Sequence, residues 1–349
     1  MEVKIATGTD ERVWDDVVVR SPHSTLYHTW KWLKLAEKHS VMKIGRMHSQ
    51  ARLFAVMLME KDRPVCICPL FVFTIAGLHF CFSPPSHTET MYLGPLYPDI
   101  DGMKEEKKQI FLIETYRMLD HVIKKDLKSN YIQINTPPGF EDCRSFRWGG
   151  YSIEPRFTYY IDLSKGTEVI WKNFNRSLRY YVEKAKKEGI VVVQGEREDA
   201  DHIFNLLKER NRIQGSKEFL DAVFDTFFPD QVKIFIAYAG SERLSGIITL
   251  IHKDRVSFWI GSPKYSYKGI SPNELVLWES ICWAAEQGFL TFEIVGADDY
   301  VLFPFKRKFN GKLIPYYQMR WYSPVLNVAS SVYRSLKQIH NNELEAKEA

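Results

Sequence analysis

Short hydrophobic segments recur in the same order in the two halves of the chain. In the first half they are residues 54–58, 67–71, 80–84 and 131–135. Their counterparts in the second half are residues 234–238, 246–250, 257–263 and 291–295. The offset is about 180 residues for the first three pairs and about 160 for the last, since loops collect insertions. The repeat predicts two similar lobes separated by a cleft, and ligands prefer such interfaces.

Each half also contains one long helical pattern between its third and fourth strands. Apolar residues recur at helical spacing in residues 104–126 and 272–287, and a shorter pattern of this kind covers residues 25–39. Charged turns at residues 60–64 and 239–243 join neighbouring strands as hairpins. The predicted fold class is therefore α/β (α+β), with a mixed twisted sheet flanked by helices in each lobe.

Composition indicates a globular protein with enough apolar residues for two cores. The chain has 349 residues, of which 45% are hydrophobic and 14% are aromatic. Lys and Arg number 47 against 43 Asp and Glu, so no DNA binding by net charge is expected and any anion site must be local. No apolar run approaches the roughly 20 residues of a membrane helix, and the N-terminus lacks a secretory core segment. We therefore expect a cytoplasmic protein without stable membrane insertion.

The cysteines give no sign of a disulfide framework or a metal site. They are five in number, Cys66, Cys68, Cys81, Cys143 and Cys282. They are scattered and lack Cys-x-x-Cys pairs, so we expect most of them to be small buried apolar residues and expect no bound metal.

The ends of the two halves match as well. An aromatic residue, a basic residue and a glycine-containing turn follow the fourth strand of each half, in residues 146–151 and 305–311. A basic helical segment, residues 171–189, joins the halves, and a Ser-Pro-Asn stretch at 271–273 precedes the second long helix. Taken together, these features resemble the FemAB-like branch of the GNAT N-acyltransferase superfamily, which includes the peptidoglycan interpeptide-bridge aminoacyltransferases.

This resemblance covers roughly residues 10–322 and implies a domain organisation. It predicts two tandem GNAT-like domains, residues 1–160 and 161–322, followed by a helical tail at residues 323–349. Because the ordered set of elements is more specific than any single motif, the resemblance supports the fold more strongly than the activity.

The resemblance also implies an enzyme that moves an activated acyl or aminoacyl group to an amine in the cleft. Such a reaction needs a bound donor, a neutral amine and a group that stabilises the oxyanion, with no nucleophilic residue. No permanently bound cofactor is expected, and the donor is either an aminoacyl-tRNA, as in this branch, or an acyl-CoA. Other GNAT proteins grip the CoA diphosphate with a glycine-rich loop at a helix start. Residues 264–273 contain a single glycine, which favours charged tRNA as the partner and predicts weak acetyl-CoA binding.

Lys306 is the main candidate for a catalytic residue. In the bridge-forming relatives a lysine that follows a phenylalanine in this segment contacts the reacting groups, and a fixed cation there would stabilise the oxyanion. The alternative is a surface lysine that extends past the ring of Phe305 to solvent. Asp298 and Asp299 follow the fourth strand of the second half and are candidates for proton transfer, as is Glu293 within it. Each carboxylate has a structural alternative, as a cap or a strand-edge charge.

The candidate substrate-binding residues are basic or aromatic: Arg176, Arg179, Tyr180, Arg210, Phe305, Lys264 and Lys268. Basic and aromatic residues that alternate in the segment before residue 181 suit a phosphorylated substrate or an RNA 3′ end, although a solvated helix face explains them equally well. Arg210 matches a segment that faces the acceptor in relatives, or it offsets a helix dipole. Lys264 and Lys268 precede a helix start and would hold a phosphate loosely.

Two other functions stay open at this point. One is an acyl-CoA-dependent N-acyltransferase that binds its donor without the usual loop, and the other is a noncatalytic module that binds a nucleotide-linked or tRNA ligand. The acceptor is expected to be a small-molecule or peptide amine. We also expect the donor's gap between two strands near residues 258–262, and a long loop at residues 83–98 that caps the cleft with Tyr92 and Tyr97.

Overall fold

A computed structural model describes residues 1–140, 142–210, 212–213, 215–263 and 266–327 of the chain. The strands of the first half are β1 (Glu2–Ala6), β2 (Val41–Ile44), β3 (Met47–Gln50), β4 (Arg52–Glu60), β5 (Arg63–Ile75), β6 (Leu78–Ser83), β7 (Tyr131–Asn135) and β8 (Ser152–Asp162). Its helices are α1 (Glu11–Arg20), α2 (Trp30–His39), α3 (Glu105–His121) and α4 (Arg144–Trp148).

After two connecting helices the second half repeats this order of elements, with no counterpart of β2 and β3 among the described residues. The helices are α5 (Thr167–Asn173), α6 (Arg176–Lys187), α7 (Arg197–Glu209), α8 (Lys217–Phe227), α9 (Asn273–Glu286) and α10 (Phe303–Lys306). The strands are β9 (Ile190–Gln194), β10 (Val232–Ala239), β11 (Glu242–His252), β12 (Arg255–Gly261), β13 (Thr291–Ile294) and β14 (Lys312–Tyr322).

Local sequence explains why these strands form hairpins. In the turn between β4 and β5, Lys61 and Asp62 have φ angles of 47° and 61°, the left-handed values that a tight hairpin turn requires. Side chains then alternate along β12, where Val256 belongs to the core on one face of the sheet and Trp259 to the core on the other. The predicted hairpins and long helices are therefore present.

Twelve of the described strands form one sheet whose order is symmetric about its centre. The order is β1-β4-β5-β6-β7-β14-β8-β13-β12-β11-β10-β9. Read from either edge, antiparallel strands lead to one parallel pair, β6–β7 or β12–β13, and then to antiparallel strands at the centre. The predicted α/β fold and the predicted repeat of strand order are confirmed.

The two halves exchange their last strands at the centre of this sheet. β8 belongs to the first half by sequence but pairs with β13, where Tyr159 lies opposite Ile294. β14 belongs to the second half but pairs with β7, where Met319 lies opposite Ile134. β8 and β14 also pair with each other, so the sheet runs without interruption from one half into the other. The sequence repeat did not predict this exchange, and the division into domains at residues 160 and 161 stays a prediction.

Both halves share one core on one face of the sheet, and each has its own core on the other face. Trp32 of α2 lies in the shared core, where its ring is 5.8 Å from Phe219 of α8 and 5.5 Å from Trp259 of β12. Separate clusters lie under α3 in the first half and under α6 and α9 in the second. On the shared face the two halves are therefore packed together by buried side chains, and are not separated there by the cleft that the repeat predicted.

Candidate functional site

The parallel strands β12 and β13 diverge near the centre of the second half. They pair from Arg255 and Thr291 as far as Phe258 and Ile294. β12 then continues to Gly261, whereas the chain after β13 turns away. This opening lies where the sequence predicted a gap for the donor.

Lys306 projects its ammonium group into this region. It ends the short helix α10, and its Nζ donates hydrogen bonds to the carbonyl oxygens of Val295 and Gly296, the latter at 2.9 Å. The same nitrogen lies 6.0 Å from the centre of the Phe258 ring. Only 6% of Lys306 is exposed, so the alternative of a surface lysine is excluded.

Burial changes the acidity of this lysine. Loss of solvent around the ammonium lowers the pKa of Lys306 from 10.5 to about 8, and the charges of Asp299 and Asp298 partly oppose that shift. The two backbone carbonyls supply hydrogen bonds to the charged form. Lys306 is therefore a cation near neutral pH that gives up its proton far more easily than an ordinary lysine.

Asp298 and Asp299 bind backbone amides. Asp298 Oδ2 accepts a hydrogen bond from the amide of Phe157 at 2.9 Å, which ties the loop after β13 to β8. Asp299 Oδ1 accepts from the amides of Val301 and Leu302 at 2.8 and 3.2 Å. These contacts match the structural alternative for both carboxylates, while their charges still favour the protonated form of Lys306.

The start of the basic helix α6 lies beside the Lys306 turn. The amide of Asn175 donates to the carbonyl of Lys308 at 3.0 Å, and the rings of Phe174 and Phe309 are 5.4 Å apart. Phe305 packs on the same ring of Phe309 at 5.5 Å. The structure therefore brings together the start of α6 and the turn that contains Lys306, two segments in which the sequence predicted site residues independently.

The candidate residues on α6 face solvent to different extents. Tyr180 is 57% exposed and Arg176 is exposed, while Arg179 is partly buried. Their side chains are thus accessible next to the turn that contains Lys306, and their role in binding stays a prediction.

The start of α9, where a GNAT protein would hold a diphosphate, contains an ion pair whose carboxylate is buried. Glu274 accepts a hydrogen bond from the Ser271 hydroxyl at 2.6 Å and pairs with Lys308 Nζ at 3.0 Å. Only 5% of the Glu274 side chain is exposed. In the loop before it, Lys268 is exposed and lies 5.1 Å over the ring of Tyr267, whereas Lys264 lies outside the described residues.

Arg210 is the exposed C-cap residue of α7, a position where a cation offsets the helix dipole. The segment that follows it is tied to the first half, because the amide of Gly215 donates to Glu89 Oε1 at 2.7 Å. Whether Arg210 contacts a substrate stays a prediction.

Comparison with known proteins identifies the part of the chain that contains these features. Residues 172–307 match the family model of the acetyltransferase (GNAT) domain. This segment is therefore similar to a GNAT domain. Comparison with curated proteins gave no significant sequence match.

Solved structures extend the likeness to almost the whole chain. The crystal structure of FemX is 14% identical, covers 91% of this chain and 97% of its own, and superposes with a TM-score of 0.64. The C-terminal domain (DUF2156) of a protein assigned as a lysylphosphatidylglycerol synthetase from Agrobacterium fabrum is 12% identical, with coverages of 93% and 95% and a TM-score of 0.55. A conserved protein of unknown function from Bacteroides thetaiotaomicron is 11% identical, with coverages of 93% and 100% and a TM-score of 0.55. At these identities the likeness shows the fold alone, and it confirms the predicted FemAB-like GNAT fold.

Apart from Glu293, the sequence did not indicate the buried polar network that surrounds this carboxylate. The Glu293 carboxylate accepts hydrogen bonds from the hydroxyls of Tyr92, Thr158 at 3.0 Å and Ser257 at 2.8 Å. Arg255 lies 3.9 Å from Glu293, and the pair is buried between β12, β13 and β8. The network joins the strands on both sides of β13 just before the opening. In the sequence, Arg255 directly follows Lys253 and Asp254, and a run of charged residues is typical of an exposed turn.

The corresponding opening in the first half is filled by the chain itself. β6 and β7 stop pairing after Ser83, and residues 91–96 enter there. The amide of Leu93 donates to the carbonyl of Asn135 at 3.0 Å, and the amide of Gly94 donates to Ser83 Oγ at 2.9 Å. Between β12 and β13 the corresponding position borders the Lys306 ammonium instead, and entry of a donor there stays a prediction.

The loop at residues 83–98 does not cap a cleft with accessible tyrosines, as the sequence had suggested. Tyr92 is 1% exposed and bonded to Glu293, and Tyr97 packs against Phe111 and Phe140 in the core of the first half. The prediction that these tyrosines contact a substrate was wrong because both rings are needed for packing.

The first half also lacks a counterpart of the buried lysine. Arg147, which follows Phe146 as Lys306 follows Phe305, is exposed and lines an open surface pocket of about 480 Å³. Over the described residues, no cluster of His, Cys, Asp or Glu suits a metal ion, and no helix could span a membrane.

Proposed function

We propose that the protein is an amide-forming acyl- or aminoacyltransferase whose reaction takes place at the opening between β12 and β13. The observation that carries this proposal is the buried Lys306 ammonium at that opening, held by two backbone carbonyls. The GNAT match of residues 172–307 supports acyl transfer as the reaction class. The FemAB-like fold favours an aminoacyl group as the group transferred.

In the proposed reaction an amine attacks the carbonyl carbon of the donor ester or thioester. A C–N bond forms and the carbonyl oxygen becomes an oxyanion, whose charge the Lys306 ammonium stabilises. The bond to the leaving oxygen or sulfur then breaks, the attacking amine loses a proton and the leaving group gains one. A pKa of about 8 allows Lys306 to donate that proton to the leaving group and to recover one from the amine.

The matched family model also favours a second candidate, because its description is that of an acetyltransferase domain. In that case the donor is an acyl-CoA and the same opening receives its thioester. A noncatalytic binding module would keep the fold and the ligand site but would release no amide product.

A labelled-transfer assay separates these functions. The full chain is incubated either with tRNA charged with ¹⁴C-labelled amino acids or with ¹⁴C-acetyl-CoA, together with a set of lysine-containing peptides. Mild alkali then hydrolyses the remaining ester or thioester but leaves amides intact. We expect the peptides recovered after this treatment to carry label from the charged tRNA. Peptides labelled from acetyl-CoA alone would favour the second candidate instead.

Substitution of Lys306 tests the residue that the proposal depends on. Lys306→Met keeps much of the buried stem and removes the charge, so turnover should fall by about 10²–10³, the usual effect of losing one oxyanion donor. Lys312→Met, at the exposed start of β14, is the matched control and should leave turnover unchanged. Full activity of a folded Lys306→Met protein would refute the role of the ammonium.

A further inference from the structure

The start of α9 is occupied by a charge of the protein itself. α9 has 14 residues, and its first turn presents the free amides of Asn273, Glu274 and Leu275, a position that attracts anions in other proteins. Here the Glu274 carboxylate belongs to that first turn and is almost fully buried. An incoming anion would therefore meet a negative charge where the helix dipole would otherwise favour it.

The Glu274 carboxylate is held in place by two side chains. Ser271 Oγ donates to one of its oxygens at 2.6 Å, and Lys308 Nζ lies 3.0 Å from the other. Lys308 is itself fixed, because its ammonium lies 5.1 Å from the Tyr181 ring and its carbonyl accepts from Asn175. If Glu274 moved out, the partly buried Lys308 ammonium would lose its ion-pair partner, which is unfavourable.

The described residues around the start of α9 offer little compensation for an incoming diphosphate. Lys308 already neutralises Glu274, and Lys268, in the described part of the loop before α9, is exposed and lies over the ring of Tyr267. Gly269 is the single glycine of the segment from residue 264 to residue 273, so the close backbone approach that a glycine-rich loop gives to a diphosphate is not available.

We infer that the Glu274–Lys308 pair is a specificity determinant that closes the start of α9 to a diphosphate. The inference deepens the proposed function, on which it rests. A CoA thioester would bring its diphosphate to this helix start. An aminoacyl ester on a ribose has no diphosphate, so the pair selects for that class of donor and against acyl-CoA.

Calorimetric titration with CoA and with pantetheine, which lacks the diphosphate, tests the inference without any need for turnover. The wild-type protein should bind CoA no more tightly than pantetheine. Glu274→Gln keeps the shape of the side chain, removes the charge and frees Lys308 for a phosphate. This variant should bind CoA at least tenfold more tightly than the wild type, with its affinity for pantetheine unchanged.

Glu279→Gln provides a matched control on the same helix. Glu279 also pairs with a lysine, Lys186 at 2.7 Å, but it lies away from the helix start and is more exposed than Glu274. Its substitution should not change CoA affinity. Glu274→Ser is the second variant in case Glu274→Gln does not fold, since serine is well accepted at helix starts.

Three results would overturn the inference: a wild-type protein that binds CoA at least tenfold more tightly than pantetheine, folded Glu274 variants with no gain in CoA affinity, or an equal gain in Glu279→Gln. These results can be told apart from a failure of the proposed function. Loss of turnover in Lys306→Met tests the chemistry, whereas these titrations test which donor class the site admits.

Discussion

At the scale of single residues, Lys306 shows how burial sets the chemistry that a side chain can perform. If its ammonium stabilises the oxyanion, turnover should fall as the pH rises through about 8, because the folded-state pKa of Lys306 is about 8. Lys306→Arg, which stays charged throughout this range, should be less active at pH 7 but should show no such fall. Turnover measured from pH 6.5 to 9.5 in both proteins checks this prediction.

The pH dependence of the free energy of unfolding tests the same shift in the pKa of Lys306 and needs no substrate. The pKa of Lys306 is lowered from 10.5 to about 8 in the folded state, so between these values the unfolded chain binds more protons. The free energy of unfolding should therefore rise by about 2 kcal/mol between pH 7.5 and 9.5 from this group. Urea unfolding of Lys306→Met should lack that contribution. Identical pH profiles for wild type and Lys306→Met would contradict the pKa shift itself.

The residues also show what the sequence could and could not indicate. The sequence indicates Lys306 by its position after Phe305, but it does not indicate the burial of the side chain, since a lysine beside an aromatic ring can equally extend to solvent. Lys308 instead turns inward to meet Glu274, a contact between residues 34 positions apart. Such pairs depend on tertiary packing, which local patterns do not contain.

At the scale of elements, the segment at residues 91–96 makes the first half different from the second. Gly94 has a φ angle of 80°, and a Cβ atom there would lie 3.2 Å from the carbonyl oxygen of Asn135 and 3.3 Å from Ile134. Gly94→Ala should therefore combine backbone strain with crowding and lower the free energy of unfolding by about 1–3 kcal/mol. Urea unfolding measures the effect.

Gly45→Ala separates the two causes. Gly45 has a φ angle of 60°, but a Cβ atom there would meet nothing within 4 Å, so its substitution costs only the backbone strain. Equal losses of stability in the two variants would mean that residues 91–96 are not tightly held in the first opening.

At the scale of the whole molecule, the exchange of β8 and β14 makes each half depend on the other. Residues 1–163 and 164–349, produced separately, should fail to give a cooperatively folded monomer, because each contains the strand that completes the sheet of the other. Produced together, they should form a one-to-one complex. Size-exclusion chromatography and thermal unfolding of the separate and mixed halves test this expectation.

A stable, monomeric 1–163 fragment would show that β8 can fold back onto β7, and the exchange would then not be needed for stability. The sequence could not decide between these pairings. Both β8 and β14 alternate apolar and polar residues, so either strand satisfies either neighbour by pattern alone. The repeat therefore predicted the strand order within each half, while the choice of partner strand is a property of the complete chain.

The exchange also has a consequence for synthesis on the ribosome. β14 is made roughly 180 residues after β7, its neighbour in the sheet. At about 5–20 residues per second this delay is on the order of 10–40 s. Throughout that interval the backbone groups on one edge of β7 lack their partner strand β14, and a strand of another nascent chain can pair with them. The sheet is therefore completed at its centre last, and the first half must be kept from other chains until β14 has been made.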